Sequence, residues 1–136
     1  NQELAGYSGR NIRLFDFINR MDMAFAAADL VISRAGAGTI SELCLVGKPA
    51  ILVPSPNVAE DHQTHNAEAL VKRNAAVMVA DSDAEPTLVE TAFSLISNEE
   101  KLRELAQNIL TMALPNSATL IAGEVLSLAN ANSKSL

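Results

Sequence analysis

The feature that most limits what this chain can fold into is its alternation of short apolar runs with longer segments of helical spacing. Asn11 to Phe17, Asp29 to Ser33, Ala50 to Pro54 and Ala75 to Ala80 read as strands. Helical patterns cover Met21 to Ala28, Ile40 to Val46, Asp61 to Arg73, Glu85 to Ile96, Asn98 to Met112 and Ala118 to Ala129. Met21, Ala24, Phe25 and Ala28 fall on one face of the first, with Asn19 placed to cap it; Ala67, Leu70 and Val71 point inward from the third. Gly47 and Pro49 end the second in the usual order. Such a chain forms an α/β fold, a parallel sheet with helices on both faces, joined by right-handed crossovers. Ligands in such sheets bind where the strands end. The loops Phe17 to Met21, Arg34 to Thr39 and Ser55 to Gln63 should therefore meet at one edge.

With 136 residues and 49% apolar content, one domain with a substantial core is expected and disorder is not. The formal charge is −6 without a Lys/Arg cluster, which speaks against nucleic acid as a partner. The single cysteine, Cys44, excludes an internal disulfide and falls on the apolar side of its helix. The longest apolar run, Ala75 to Ala80, is far below the roughly 20 residues of a membrane span, and no signal peptide is recognisable. The chain opens Asn1-Gln2-Glu3, which suggests a processed product or a piece of something longer.

The chemistry concentrates in Ser33-Arg34-Ala35-Gly36-Ala37-Gly38-Thr39-Ile40-Ser41-Glu42, a strand end, a glycine-rich turn and a helix start. Free N–H groups at a helix N-terminus, with glycines that let a ligand approach, make a site for phosphate or diphosphate. A tight turn without a ligand explains the glycines equally well. A dinucleotide fingerprint needs a third glycine where Ser41 stands and an acidic residue near Pro54-Ser55-Pro56, so a nicotinamide or flavin cofactor is not expected. No P-loop motif occurs. Glu42 has two readings. Thr39-Ile40-Ser41-Glu42 is a T-x-x-E capping box, and on the residues alone this is the favoured one. The other lets the carboxylate accept from vicinal ribose hydroxyls.

Asp61-His62-Gln63-Thr64-His65-Asn66 opens a further helix. Gln63 and Asn66 share a face, and their amides suit sugar hydroxyls, which both donate and accept; the alternative is an exposed polar first turn. Asp61, His62 and His65 lack a further ligand pattern for a metal, so none is expected. No catalytic triad or close carboxylate pair stands out, and the catalytic residues remain unassigned.

Phe17-Ile18, the run Ala28 to Glu42, Gly47-Lys48-Pro49-Ala50-Ile51-Leu52-Val53-Pro54 and Asp61 to Ala67 together resemble the MurG family, the UDP-N-acetylglucosamine transferases that convert lipid I to lipid II in peptidoglycan synthesis. The likeness runs from about Asn11 to Leu128. It implies the C-terminal half of a GT-B glycosyltransferase, the Rossmann-like domain that holds the UDP-sugar donor, with residues 1–136 as part of that domain and the N-terminal acceptor domain absent. It also implies an inverting hexosyltransferase when the protein is whole, and an inactive fragment otherwise. By the same resemblance, the backbone at Ile18 contacts uracil and Met21 packs beside the nucleotide. Ala37, Gly38 and Thr39 meet the diphosphate and sugar, within a substrate-binding run that continues through Ile40 and Ser41. Glu42 takes the ribose hydroxyls, and Gln63 with Asn66 reads N-acetylglucosamine. The implied partners are UDP-N-acetylglucosamine, and lipid I and the cytoplasmic face of the plasma membrane through the absent half. No cofactor is implied. Some members carry two glutamines where this chain has His62-Gln63; the early glycine-rich loop, its arginine and the first strands of the domain are missing. Alternatives are the donor domain of another lipid-directed UDP-sugar transferase, or a nucleotide-binding module without catalysis.

Overall fold

The computed structural model describes residues 11–56 and 61–133, with side chains to residue 128. The elements run α1 (Met21–Ala27), β1 (Val31–Ser33), α2 (Ala37–Val46), β2 (Ala50–Leu52), α3 (His62–Val71), β3 (Val77–Met78), α4 (Asp81–Ile96), α5 (Glu99–Leu110) and α6 (Ser117–Ser133). The described strands form one parallel sheet in the order β1-β2-β3. Val31 pairs with Ala50 and Ser33 with Leu52; Ile51 pairs with Val77 and Leu52 with Met78.

The central strand explains why both faces are covered. Ala50, Ile51 and Leu52 are fully buried. Successive side chains of a strand point to opposite faces, and they enter different cores. Ala50 and Leu52 join Phe25, Leu43, Cys44, Ala67 and Leu70, on the side of α1, α2 and α3. Ile51 and Val53 join Val79, Leu95 and Leu105, on the side of α4 and α5. Ile109 of α5 reaches back into the first cluster. Burial pushes the Cys44 thiol pKa up. Gly47 ends α2 in the left-handed region at φ 62°, as its place in the sequence predicts.

Several boundaries differ from the sequence expectation. Asn11 to Phe17 alternates like a strand but is irregular and exposed, because no described strand pairs with it. Asn19 does not cap α1; Arg20 holds the N-cap position, without a side-chain cap bond. Of the expected inner face of α1 only Phe25 is buried, and Met21 is 45% exposed. β1 begins at Val31 and is an edge strand with Ile32 46% exposed, not a buried one. α3 buries Ala67 and Leu70 but leaves Val71 exposed. α4 starts at Asp81, a full turn before Glu85, and carries Pro86 inside it. Asn98 caps α5 by accepting from the Lys101 N–H at 3.0 Å.

Candidate functional site

The loops after β1 and β2 leave the sheet at the same edge, and polar side chains sew them together. Gln63, in the first turn of α3, turns its amide oxygen inward. Oε1 accepts from the Ala35 N–H at 3.2 Å and from the Ser55 N–H at 2.9 Å. Asn66, one turn later, donates from Nδ2 to the Ala35 carbonyl at 3.2 Å. Ala35 itself is fully buried. Two amides that the sequence suggests for sugar hydroxyls are thus committed in part to the backbone of the glycine-rich turn. The acceptor of Gln63 is used; its Nε2 donor group carries no such duty.

Holding Ala35 in place sets where α2 begins. Gly36 takes extended angles, φ −68° and ψ 144°, and becomes the N-cap of α2. The Ile40 N–H closes the first helical bond, to the Gly36 carbonyl at 3.0 Å. The N–H groups of Ala37, Gly38 and Thr39 therefore precede the first intrahelical bond and have no partner within the helix. Among the described residues no side chain caps this end. The expected Thr39–Glu42 capping box is overturned: the helix begins at Ala37, so Thr39 already lies inside the first turn, and a capping serine or threonine must stand before it. Ser41 Oγ instead donates to the Ala37 carbonyl at 3.0 Å. Glu42 is exposed and has no ion-pair partner among the described residues.

The glycines of the turn have no steric duty inside the protein. Neither has positive φ, a Cβ on Gly38 would meet nothing within 4 Å, and one on Gly36 would only touch Thr39 Oγ1 at 4.0 Å. A side chain at position 38 would enter open space.

Arg34 is a residue to which the sequence alone gives no role. From the end of β1 its Nη1 donates to the carbonyls of Val53 and Pro54, each at 3.4 Å, and to Asp81 at the start of α4. It clasps the ends of two strands to the helix after the third. A charged residue directly at the end of an apolar strand is the signal that could have marked it. Asp61, at positive φ, accepts from Thr64 Oγ1 at 2.5 Å. Ile18 and Met21 lie on a separate segment, both with exposed side chains, and no hydrogen bond among the described residues joins them to the Ala35–Gly38 turn.

Comparison with known proteins agrees with this architecture. Residues 1–121 match the family model described as glycosyltransferase family 28 C-terminal domain. A protein of Parabacteroides distasonis, named UDP-N-acetylglucosamine--N-acetylmuramyl-(pentapeptide) pyrophosphoryl-undecaprenol N-acetylglucosamine transferase, is 57% identical over 93% of this chain and 34% of its own length. A Bacteroides fragilis protein of the same name is 61% identical over 88% of this chain and 31% of its own. The crystal structure of Acinetobacter baumannii MurG superposes with a TM-score of 0.81 at 33% identity, covering 93% of this chain and 37% of that one. The chain therefore spans about a third of the length of the curated relatives it matches.

Proposed function

The chain belongs to the glycosyltransferase family 28 C-terminal domain family, and from that premise we propose that it binds the donor UDP-N-acetylglucosamine for transfer of the sugar to lipid I. Its fold is the α/β fold of that family, shared with a solved MurG. The observation that carries the reading is the start of α2. A helix end without a side-chain cap lies at the carboxyl edge of a parallel sheet, beside glycines whose missing Cβ atoms leave open space. Three N–H groups and the positive end of the helix dipole suit a diphosphate without a metal. In this reading Ala37, Gly38 and Thr39, with Ile40 and Ser41 behind them, receive the diphosphate and the proximal sugar atoms. Glu42, exposed and unpaired, accepts from the ribose hydroxyls. Ile18 and Met21 meet uracil. Gln63 donates from Nε2 to a sugar hydroxyl while its oxygen holds the turn, and Asn66 steadies the same turn. Residues 1–136 are then part of a donor domain. Lipid I, the general base and contact with the cytoplasmic face of the membrane belong to the other two thirds of a protein of the relatives' length. No described helix is long and apolar enough to cross a membrane.

Titration calorimetry tests the reading. UDP and UDP-N-acetylglucosamine should bind, ADP and GDP should bind more weakly, and a chelator should change nothing. Equal binding of the nucleotides, or loss of binding with chelator, refutes it.

A further inference from the structure

Among the described residues, α1 is held to the domain at few points. Only Phe25 among its side chains is buried, in the cluster that also holds Leu43, Cys44 and Ala50. The second attachment is Lys48, in the turn between α2 and β2. Its Nζ donates to the Ala28 carbonyl at 2.8 Å and to the Ala26 carbonyl at 3.4 Å. These carbonyls belong to the last turn of α1 and its C-cap, where a helix has no N–H groups left to offer them. α1 has no basic residue of its own in that turn. Lys48 therefore supplies from elsewhere the cation that a helix C-terminus favours. The lysine stands on firm ground. Its own N–H bonds to the Leu43 carbonyl at 3.3 Å, and the following Pro49 carbonyl accepts from the Val31 N–H at 3.0 Å, within the sheet.

The other end of α1 carries Ile18 to Met21. The Arg20 carbonyl accepts from both the Met23 and Ala24 N–H groups at 3.1 Å, so Arg20 and Met21 move with the helix and Ile18 is carried two residues before them. With Phe25 as a pivot, Met21 lies about 6 Å away along the axis, and a tilt of about 20° displaces it by about 2 Å. That exceeds the tolerance of a backbone hydrogen bond.

We infer that Lys48 is a positioning residue for nucleotide binding: its ammonium locks the C-terminal end of α1 and thereby sets where Ile18 and Met21 meet the base. This rests on the proposed uridine reading. The test compares wild type, Lys48→Met, which keeps the apolar stem, and Lys48→Arg, which keeps the cation. Amide hydrogen exchange is followed in α1, α2 and β2, and calorimetry measures UDP and inorganic pyrophosphate. In Lys48→Met, exchange of the Ala24 to Ala28 amides should speed up while α2 and β2 stay unchanged. UDP should bind about fivefold more weakly. Pyrophosphate, which needs only the start of α2, should bind as before, and Lys48→Arg should restore α1 and UDP together. Unchanged exchange in α1, unchanged UDP affinity, or equal loss of UDP and pyrophosphate overturns the inference. If wild type does not bind UDP at all, the proposed function fails, and this role fails with it; if wild type binds and Lys48→Met binds equally well, only the role of Lys48 fails.

Discussion

Replacing Gln63 separates its two duties. Its Oε1 accepts from two backbone donors, Ala35 N–H at 3.2 Å and Ser55 N–H at 2.9 Å. Gln63→Leu keeps much of the volume and removes the acceptor. Ala35 is fully buried, so its N–H cannot turn to water, and an orphaned buried donor costs about 1–3 kcal/mol. Ser55 is only half-buried, water can reach it, and its share falls at or below the low end, about 1 kcal/mol. The sum is about 1–4 kcal/mol, a large part of the 5–15 kcal/mol that holds a typical domain together. Gln63→Glu keeps an oxygen in place for both donors and should lie within about 1 kcal/mol of wild type, since a carboxylate accepts from N–H groups at least as strongly as an amide does. It removes the Nε2 donor and adds negative charge beside the proposed diphosphate. Urea unfolding followed by circular dichroism gives the midpoint and slope for all three proteins. The expected order is wild type close to Gln63→Glu, both well above Gln63→Leu, with UDP-N-acetylglucosamine binding lost in Gln63→Glu despite its stability. A Gln63→Leu protein within about 0.5 kcal/mol of wild type, the range of an ordinary surface change, would refute the clasp.

Three shorter expectations concern the same region and the core beneath it. Glu42→Gln should leave the thermal midpoint unchanged, because Glu42 caps nothing, but weaken UDP about tenfold, or 1.4 kcal/mol; 2′,3′-dideoxy-UDP should bind both proteins alike, and a large fall in the midpoint with intact UDP binding would sink the ribose assignment. Gly38→Ala should stabilise the free protein by about 0.5–1 kcal/mol, since it enters open space in a helical position, while weakening UDP through a methyl set against the diphosphate; unchanged affinity would move the ligand elsewhere. Cys44 should resist a thiol reagent at neutral pH until the protein unfolds. Its folded-state pKa is raised by burial, so its contribution is present below the unfolded thiol value of about 8.5 and is lost as pH rises beyond it; Cys44→Ala should flatten that alkaline loss, and an identical pH profile would show that the thiol does not cause it.

Some of this molecule is written in local sequence. Ala50-Ile51-Leu52 reads as a buried strand, because a short run with no polar face, bounded by Pro49 and Pro54, has little to show to water, and both cores meet on it. Gly47 and Pro49 had to end α2, since one favours positive φ and the other cannot continue a helix. The order of strand, glycine turn and helix around Ser33 is also legible, and the resemblance carried by that run points to the family. Other features depend on what lies far along the chain. Asn11 to Phe17 has the alternation of a strand, but a strand needs a neighbour to bond with and none is described beside it. The start of α2 moved from Ile40 to Ala37, and with it the meaning of Thr39 and Glu42. Gly36-Ala37-Gly38 has weak helical preference of its own; two side chains from α3, 28 and 31 residues away, grip Ala35 and settle the geometry of the turn. Lys48 reads as an ordinary turn lysine until the end of α1 is found beneath it. Apolar pattern fixes class and core because each residue's preference for water is its own, whereas a polar side chain's role depends on which backbone group the fold brings within about 3 Å.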